Sequence, residues 1–298
     1  MSIFSVIQTT NSPAVPESKT AGDSQDISSY YATDYQVHSF RSHDGKATIA
    51  DQCRRADEIG LKEIGFSEHK DFDPFDPVVD HFNYERYMAE IQLARKEFEG
   101  KLIIRAGVEV DYQVWFEEKI AEYLNDYPFD FVIGSVHYVC RQMLMTPRYL
   151  KTRTQETAYR DYYREVLYSV QSGLIDIVGH LEYANRRGVP QFGRFDPSPY
   201  EEDLRQLFNE MIQRNVALEI NSAGIRQGVE MTYPCERTVA IYAACGGKQV
   251  TFGSDAHHPD DLAKDIRRAF ELAQKYGLQQ VTLFENRRRS TRRLLLAG

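Results

Sequence analysis

The chain has 298 residues, of which 42% are hydrophobic and 27% are charged. This composition is that of a globular protein with a sizeable buried core, so disorder of the whole chain is excluded. The formal net charge of −8 argues against a nucleic-acid-binding surface over most of the protein, because such a surface needs clustered Lys and Arg. The four cysteines lack the close pairing of a zinc ribbon and are too few for a disulfide framework. We therefore expect a protein of the reducing cytoplasm that binds no nucleic acid.

The N-terminal region has the composition of a disordered tail. Residues 9–29 consist largely of Ser, Thr, Asp, Gln and Pro, and such a segment cannot bury enough apolar surface to offset its ordering entropy. The first residues, MSIFSVIQTTNSPAVPESK, show no basic start followed by an apolar stretch, and no apolar run approaches the roughly 18 residues that span a bilayer. We predict a tail over residues 1–31, one folded domain over residues 32–298, and no membrane association.

From residue 34 onward, short apolar runs alternate with stretches of helical period. The first helix is predicted between Thr48, a possible N-cap, and Gly60, a stop signal. Serial βα units imply parallel strands with right-handed crossovers, and no linker interrupts the alternation. We predict an α/β fold, a single distorted TIM-like (β/α) barrel of about seven strands; two doubly wound domains are the alternative. The predicted strands are residues 35–38, 63–66, 102–108, 129–136, 174–178, 216–220, 249–252 and 281–284. Further predicted helices are residues 84–98, 115–124, 156–171, 199–213, 236–245 and 260–276.

Polar residues of metal-ligand type follow nearly every predicted strand. Because a barrel gathers the loops after its strands at one end, these residues are expected to meet there. His, Glu and Asp without thiolate form the ligand set expected for zinc, manganese or iron in a hydrolytic site. A carboxylate such as Glu109 can bridge two ions, and Glu68, Asp71 and Glu182 are candidates for groups that orient ligand histidines. The residues at the strand ends are His38, Asp44, His69, Glu109, His137, His180, Asn221, Asp255 and His257.

Seven short strings carry a likeness to a known family. They are DYQVHSFRSHDG, EIGFSEHKDF, RAGVEVDY, FVIGSVHYV, DIVGHLEYANRRG, LEINSAGIRQG and VTFGSDAHHPDDL, and they run from Asp34 to about Leu262. In this order they resemble the polymerase and histidinol phosphatase (PHP) family, and VTLFENRRR resembles that family's last strand. Within the family the likeness is to the free-standing histidinol-phosphate phosphatases, through INSAGIR and GHLEYANRR.

The resemblance implies two or three divalent metal ions at the C-terminal ends of the strands. Asp44 rather than its neighbour His43 stands at the family's spacing from His38. By the same resemblance, the first ion would be held by His38, Glu109 and Asp255, the second by Glu109, His137 and His180, and the third by Asp44, His69 and His257.

The resemblance also implies a substrate and its binding groups. Arg226 and Arg186 match the arginines that hold the phosphate, a task suited to the planar guanidinium, and Arg187 is an alternative to Arg186. The implied reaction is hydrolysis of a small phosphate monoester, with L-histidinol phosphate as the first candidate and Asp255 as a possible proton donor. The rival functions are a phosphodiesterase or exonuclease acting on nucleotides and a non-catalytic phosphate-binding module. The oligomeric state is not predicted.

Two features depart from a simple assignment. The family's first string has His-x-His, whereas this chain has Gln36-Val37-His38, so a neutral carboxamide stands where imidazole is expected. Gln36 is treated as a weak ligand of the first ion, and this departure indicates either fewer or harder ions or a disabled enzyme. The arginine run 287–289, with Arg292 and Arg293, predicts the solvated face of a terminal helix.

Overall fold

A parallel sheet of seven strands forms the centre of the protein in a computed structural model that describes residues 26–76 and 78–296. The strands in the described ranges are β1 (Thr33–Val37), β2 (Glu63–Lys70), β3 (Ile103–Asp111), β4 (Phe131–Ser135), β5 (Tyr138–Val139), β6 (Gln142–Met143), β7 (Ile177–Val178), β8 (Ala217–Asn221), β9 (Val250–Gly253), β10 (Gln280–Glu285) and β11 (Arg288–Arg293). The central sheet has the order β1-β2-β3-β4-β7-β8-β9, with every neighbouring pair parallel.

The two edges of this sheet meet and close it. His38 N–H donates to the carbonyl of Ala256 at 2.8 Å, and Ala256 N–H donates to the carbonyl of Gln36 at 3.2 Å. Val37 and Ala256 thereby form a parallel bridge between the end of β1 and the segment after β9. The predicted single (β/α) barrel is confirmed, because one closed sheet holds strands from both halves of the chain.

Helices connect the strands. In the first, the Thr48 side chain accepts from Asp51 N–H at 3.0 Å while Asp51 accepts from Thr48 N–H at 3.3 Å, and Gly60 ends the helix at φ 79°. The last helix begins later than predicted, because Ala263 and Asp265 adopt positive φ. No helix in the described ranges combines the length and apolar character needed to cross a membrane. The helices are α1 (Ile49–Ile59), α2 (Tyr84–Glu97), α3 (Glu117–Asp126), α4 (Pro147–Leu150), α5 (Gln155–Gln171), α6 (Asn185–Phe192), α7 (Glu201–Arg214), α8 (Ala223–Arg226), α9 (Glu236–Ala244) and α10 (Ile266–Lys275).

The C-terminal segment is a hairpin and not a barrel strand followed by a helix. β10 and β11 pair antiparallel, and all residues of β11 are exposed. The prediction of a terminal helix face was therefore wrong, because Asn286 and Arg287 adopt left-handed φ values of 50° and 60° and reverse the chain in a tight turn. Phe284 N–H donates to the Tyr35 hydroxyl at 3.0 Å, so the hairpin packs where the barrel strands begin.

The packed unit begins earlier than residue 32, the predicted domain start. Ile27 and Tyr30 are buried, and Tyr31 N–H donates to the Leu294 carbonyl at 2.7 Å. Residues 26–31 therefore pair with the end of the chain and do not belong to a free tail, because the segment after β11 offers them a backbone partner. The rest of the predicted tail, residues 1–25, lies outside the described residues.

Candidate metal centre

The predicted ligands converge at the C-terminal ends of the barrel strands. His38 follows β1, His69 and Glu109 lie near the ends of β2 and β3, and His137 and His180 follow β4 and β7. Two groups of three side chains lie there, and within each group the three ligand atoms lie within 4.8 Å of one another. The first group is His38, His69 and His257, and the second is Glu109, His137 and His180.

His38 occupies the middle of the first group. Its ring stacks between His69 and His257, with a centroid distance of 4.3 Å to each. Its Nε2 lies 3.3 Å from Asp255 Oδ1 and 3.5 Å from Glu109 Oε2. Asp44 lies 3.6 Å from His69 Nε2 and 3.2 Å from His257 Nε2, so the one carboxylate that was grouped with these two histidines lies beside both.

Glu109 joins the two groups through its two carboxylate oxygens. Oε2 lies 3.0 Å from His69 Nδ1, and Oε1 lies 2.9 Å from His180 Nε2. The Ser135 hydroxyl also donates to Oε1. Burial alone would raise the pKa of Glu109, but His69 and His180 hold this pKa well below its ordinary value. An ionised carboxylate with one oxygen toward each group has the geometry that a bridging ligand requires.

A hydroxyl and a buried carboxylate orient the imidazole of His38. Ser42 Oγ donates to Glu68 Oε2 at 2.6 Å and lies 3.2 Å from His38 Nδ1. Because the Ser42 hydrogen is used on Glu68, its oxygen accepts from His38 Nδ1–H, which assigns the lone pair to Nε2. Burial, with the neighbouring His69 and His257, lowers the pKa of His38 to about 4, so the ring is neutral at pH 7. Glu68, one of the predicted orienting carboxylates, thus acts through Ser42 on His38, which is a predicted ligand.

The other candidates for orientation behave differently. Glu182 is buried and binds Cys235 N–H at 2.8 Å and the Thr238 hydroxyl, so it ties the loop after β7 to the start of α9. Burial raises the pKa of Glu182 to about 7.

The carboxylate beside His137 is Asp111, which accepts from His137 N–H at 2.8 Å and lies 3.4 Å from its Nδ1. Sequence reasoning missed Asp111, although it follows Glu109 by two residues and shares its strand face.

Several ligand-type atoms are buried without a hydrogen bond of acceptable geometry within the described part of the chain. They are His38 Nε2, Asp44 Oδ1, Glu109 Oε2 and His257 Nε2. Buried acceptors without donors cost free energy, and a divalent cation satisfies such nitrogen and oxygen atoms together. The donor set of imidazole and carboxylate therefore fits a metal ion.

A cavity of about 320 Å³ opens beside the ligands and is lined by Asp44, His69 and His137. Arg187 also lines it, whereas the Arg186 guanidinium donates to the Tyr183 hydroxyl at 2.6 Å on the same wall. Of the two arginines left open by the sequence, Arg187 therefore lines the cavity, and Arg186 contacts Tyr183, which also lines it.

Arg226, at the end of α8, contacts the segment that carries Asp255. Its Nη2 donates to the Asp255 carbonyl at 2.8 Å, and its Nε lies 3.7 Å from Asp261. Its Nη1 is buried and has no hydrogen-bond partner among residues 26–76 and 78–296. An anion could satisfy this donor, but it would reach the atom only after neighbouring side chains move, because the atom is shielded from solvent.

Gln36 is fully buried on β1, and its side-chain oxygen accepts from Asn221 Nδ2 at 2.7 Å. Its ligand role stays a prediction. The other eight predicted ligands lie together, as described above.

A barrel with an imidazole and carboxylate cluster at its strand ends is the architecture of a metal-dependent hydrolase. The chain matches the PHP domain family over residues 34–223 and belongs to that family. It is 30% identical to a probable histidinol-phosphatase of Deinococcus radiodurans over 84% of this chain and 95% of that protein. The histidinol-phosphatase of Lactococcus lactis is 29% identical, over 84% of this chain and 93% of that protein.

The fold also matches a solved relative. The crystal structure of histidinol phosphate phosphatase from Lactococcus lactis, complexed with zinc, L-histidinol and phosphate, superimposes with a TM-score of 0.81 at 27% identity. The match covers 87% of this chain and 99% of that chain.

Proposed function

We propose that this protein is a metal-dependent phosphatase that hydrolyses L-histidinol phosphate to L-histidinol and phosphate. The observation that carries the proposal is the position of Glu109, which gives one carboxylate oxygen to each ligand group. Similarity to the histidinol-phosphatases of two bacteria supports the substrate.

Two or three ions of zinc, manganese or iron would be held by the predicted sets of ligands. When bound, such ions supply a nucleophile at neutral pH and neutralise charge on the phosphoryl group. The neutral His38 and the ionised Glu109 already have the protonation states that ligation requires. The first ion would be held by His38, Glu109 and Asp255, the second by Glu109, His137 and His180, and the third by Asp44, His69 and His257.

The arginines would hold the phosphate oxygens of the substrate. Arg226 offers its free Nη1, and Arg186 or Arg187 approaches from the Tyr183 wall. Charge-assisted hydrogen bonds from guanidinium fix both the position and the orientation of a phosphate. Because Arg187 lines the cavity itself, it is the stronger candidate of the pair for direct contact.

The lining of the cavity also includes acidic side chains. Asp71 and Asp76 line it, and Asp76 accepts from the Tyr138 hydroxyl at 3.2 Å. These carboxylates suit a substrate that carries an ammonium or imidazole group beside its phosphate, as L-histidinol phosphate does. They oppose the polyanionic backbone of an oligonucleotide, which disfavours the nuclease alternative.

Asp255 is better suited to binding a metal ion than to donating a proton. Burial opposes ionisation, but contacts with His38 and His257 hold the pKa of Asp255 low. An ionised carboxylate must first take up a proton before it can act as an acid. Its role as proton donor to the leaving alkoxide stays a prediction.

Phosphate release from L-histidinol phosphate tests the proposal. Complete chelation should abolish turnover, and zinc, manganese or iron should restore it, because the nucleophile depends on the ion. Inorganic phosphate and remaining metal are measured on the same samples, and a short oligonucleotide serves as the competing substrate. Undiminished turnover of fully chelated protein would refute metal dependence. Metal-loaded protein that binds phosphate but releases none would instead support the non-catalytic module.

A further inference from the structure

A buried chain of hydrogen bonds runs from Gln36 to the backbone of His180. Gln36 Oε1 accepts from Asn221 Nδ2 at 2.7 Å, and the same nitrogen donates to Glu219 Oε2 at 3.1 Å. Glu219 Oε2 also accepts from His180 N–H at 2.7 Å. The side chains of Gln36, Asn221 and Glu219 are fully buried. The chain thus connects β1, β8 and the segment after β7 inside the barrel.

The orientation of both amides follows from a backbone contact. Asn221 Oδ1 accepts from Ala223 N–H at 2.8 Å, so the Asn221 nitrogen must face Gln36. Gln36 therefore presents its oxygen to Asn221. The Gln36 nitrogen, which carries hydrogens and cannot ligate a cation, has no partner in the ranges that the structure describes.

A histidine at position 36 would be poorly matched to Asn221. A neutral imidazole has one nitrogen that accepts and one that carries hydrogen. If such a histidine gave its accepting nitrogen to an ion, its N–H would face the Asn221 donor. Glutamine accepts from Asn221 without this conflict, so the departure at Gln36 agrees with its surroundings.

Gly253 leaves the space that this arrangement needs. A β-carbon at this position would lie 2.0 Å from Glu219 Oε1 and 2.9 Å from Gln36 Cβ. Gln36 and Glu219 can lie side by side only because residue 253 has no side chain. The close approach of these two residues is therefore built into β9.

We propose that Gln36 is a positioning residue, which fixes Asn221 and Glu219 and through them the backbone at His180, and that it is not a metal ligand. The inference rests on the proposed function, since it takes His180 as a ligand. His180 has a φ of 21°, a value that residues other than glycine rarely adopt, so its backbone depends on such support.

Gln36→Met tests the proposal, because methionine keeps the length of the side chain but removes the oxygen. The Tm of the metal-free full-length protein should fall by about 2–8 °C, because the Asn221 nitrogen loses an acceptor. Zinc affinity of the Glu109, His137 and His180 group, measured by competition with a chelator, should fall about tenfold or more. Gln249→Met is the matched control, since Gln249 binds Asn215 just before β9 begins, and it should leave zinc affinity unchanged.

A double variant separates positioning from ligation. If both substitutions break the same chain of hydrogen bonds, their effects should not add. The double variant Gln36→Met with Asn221→Ala should then lose little more metal-free Tm and zinc affinity than the more affected single variant. Fully additive losses would overturn the proposal, as would an unchanged metal-free Tm in Gln36→Met. Loss of one bound ion without a change in that Tm would make Gln36 a ligand. The metal-free Tm does not depend on catalysis, whereas failure of the proposed function appears as absence of phosphate release by the wild type.

Discussion

Arg226→Ala should lower kcat/KM for L-histidinol phosphate by about 10- to 100-fold. The Nη1 of Arg226 has no hydrogen-bond partner in the part of the chain that the structure describes, so a phosphate oxygen that reaches it would not displace a protein hydrogen bond. A hydrogen bond between charged groups contributes about 1.5–3 kcal/mol, and about 1.4 kcal/mol corresponds to a tenfold change. Arg226→Lys keeps the positive charge but not the planar guanidinium with its several donors, so it should give an intermediate loss in kcat/KM.

The assay must distinguish phosphate binding from an effect on Asp255, because Arg226 Nη2 also donates to the Asp255 carbonyl. The inhibition constant of inorganic phosphate and the metal content per chain are measured beside the kinetics. If Arg226 holds phosphate, the inhibition constant should rise in parallel with the loss in kcat/KM while metal content stays constant. Arg205→Ala, which removes an exposed partner of Glu201 on α7, is the control and should change neither quantity.

Unchanged kinetics in Arg226→Ala would remove this arginine from the site. A large loss of metal with an unchanged inhibition constant would also contradict the assignment, since Arg226 would then act only through the segment that carries Asp255.

Two further substitutions test the packing around the centre and the hairpin. Ser42→Ala should weaken zinc binding about 10- to 100-fold in a chelator competition, because it removes the hydroxyl between His38 and Glu68; equal affinity would contradict that role. Arg287→Ala should lower the free energy of unfolding at pH 7 by about 1–3 kcal/mol, less than for a fully buried pair because Arg287 is 34% exposed. Burial raises the pKa of Asp176, and Arg287 opposes this rise, so loss of the cation should raise that pKa further. The destabilisation arises from the ionised carboxylate, and it should therefore shrink as pH falls and Asp176 becomes protonated. Equal losses in urea unfolding at pH 4 and pH 8 would refute this reasoning.

Much of the fold and part of the site could be predicted from local sequence patterns. Thr48 and Gly60 predicted the limits of α1, because capping and left-handed backbone depend on neighbouring residues. His69 and Glu109 could be placed in one site from sequence because parallel strands present the residues at their ends to the same side. The period of the apolar runs therefore carried most of the information about the fold.

The errors lie where distant segments decide the structure. Arginines in β11 have no strand preference strong enough to be recognised, and the turn at Asn286 and Arg287 lacks the glycine that marks tight hairpins. Tyr30 is ordered by pairing with Leu295 at the other end of the chain, which no local pattern reveals. The hydrogen bond between Gln36 and Asn221 likewise joins strands far apart in the sequence, so no local pattern predicts it.

The closure of the barrel between β1 and the segment after β9 imposes an order on assembly of the centre. Glu109, His137 and His180 come from β3 and from the ends of β4 and β7, which are neighbours in the sheet, so these three side chains can meet before the barrel closes, and the support from Gln36 on β1 is added at closure. His38 meets Asp255 and His257 only after β1 has paired with the segment that follows β9, a contact that closes a loop of nearly the whole barrel. During synthesis the middle group can form while residues 250–257 are still being made. We therefore expect a refolding chain to acquire its second ion before the first and third, with binding of those two reporting that the ring of strands is complete.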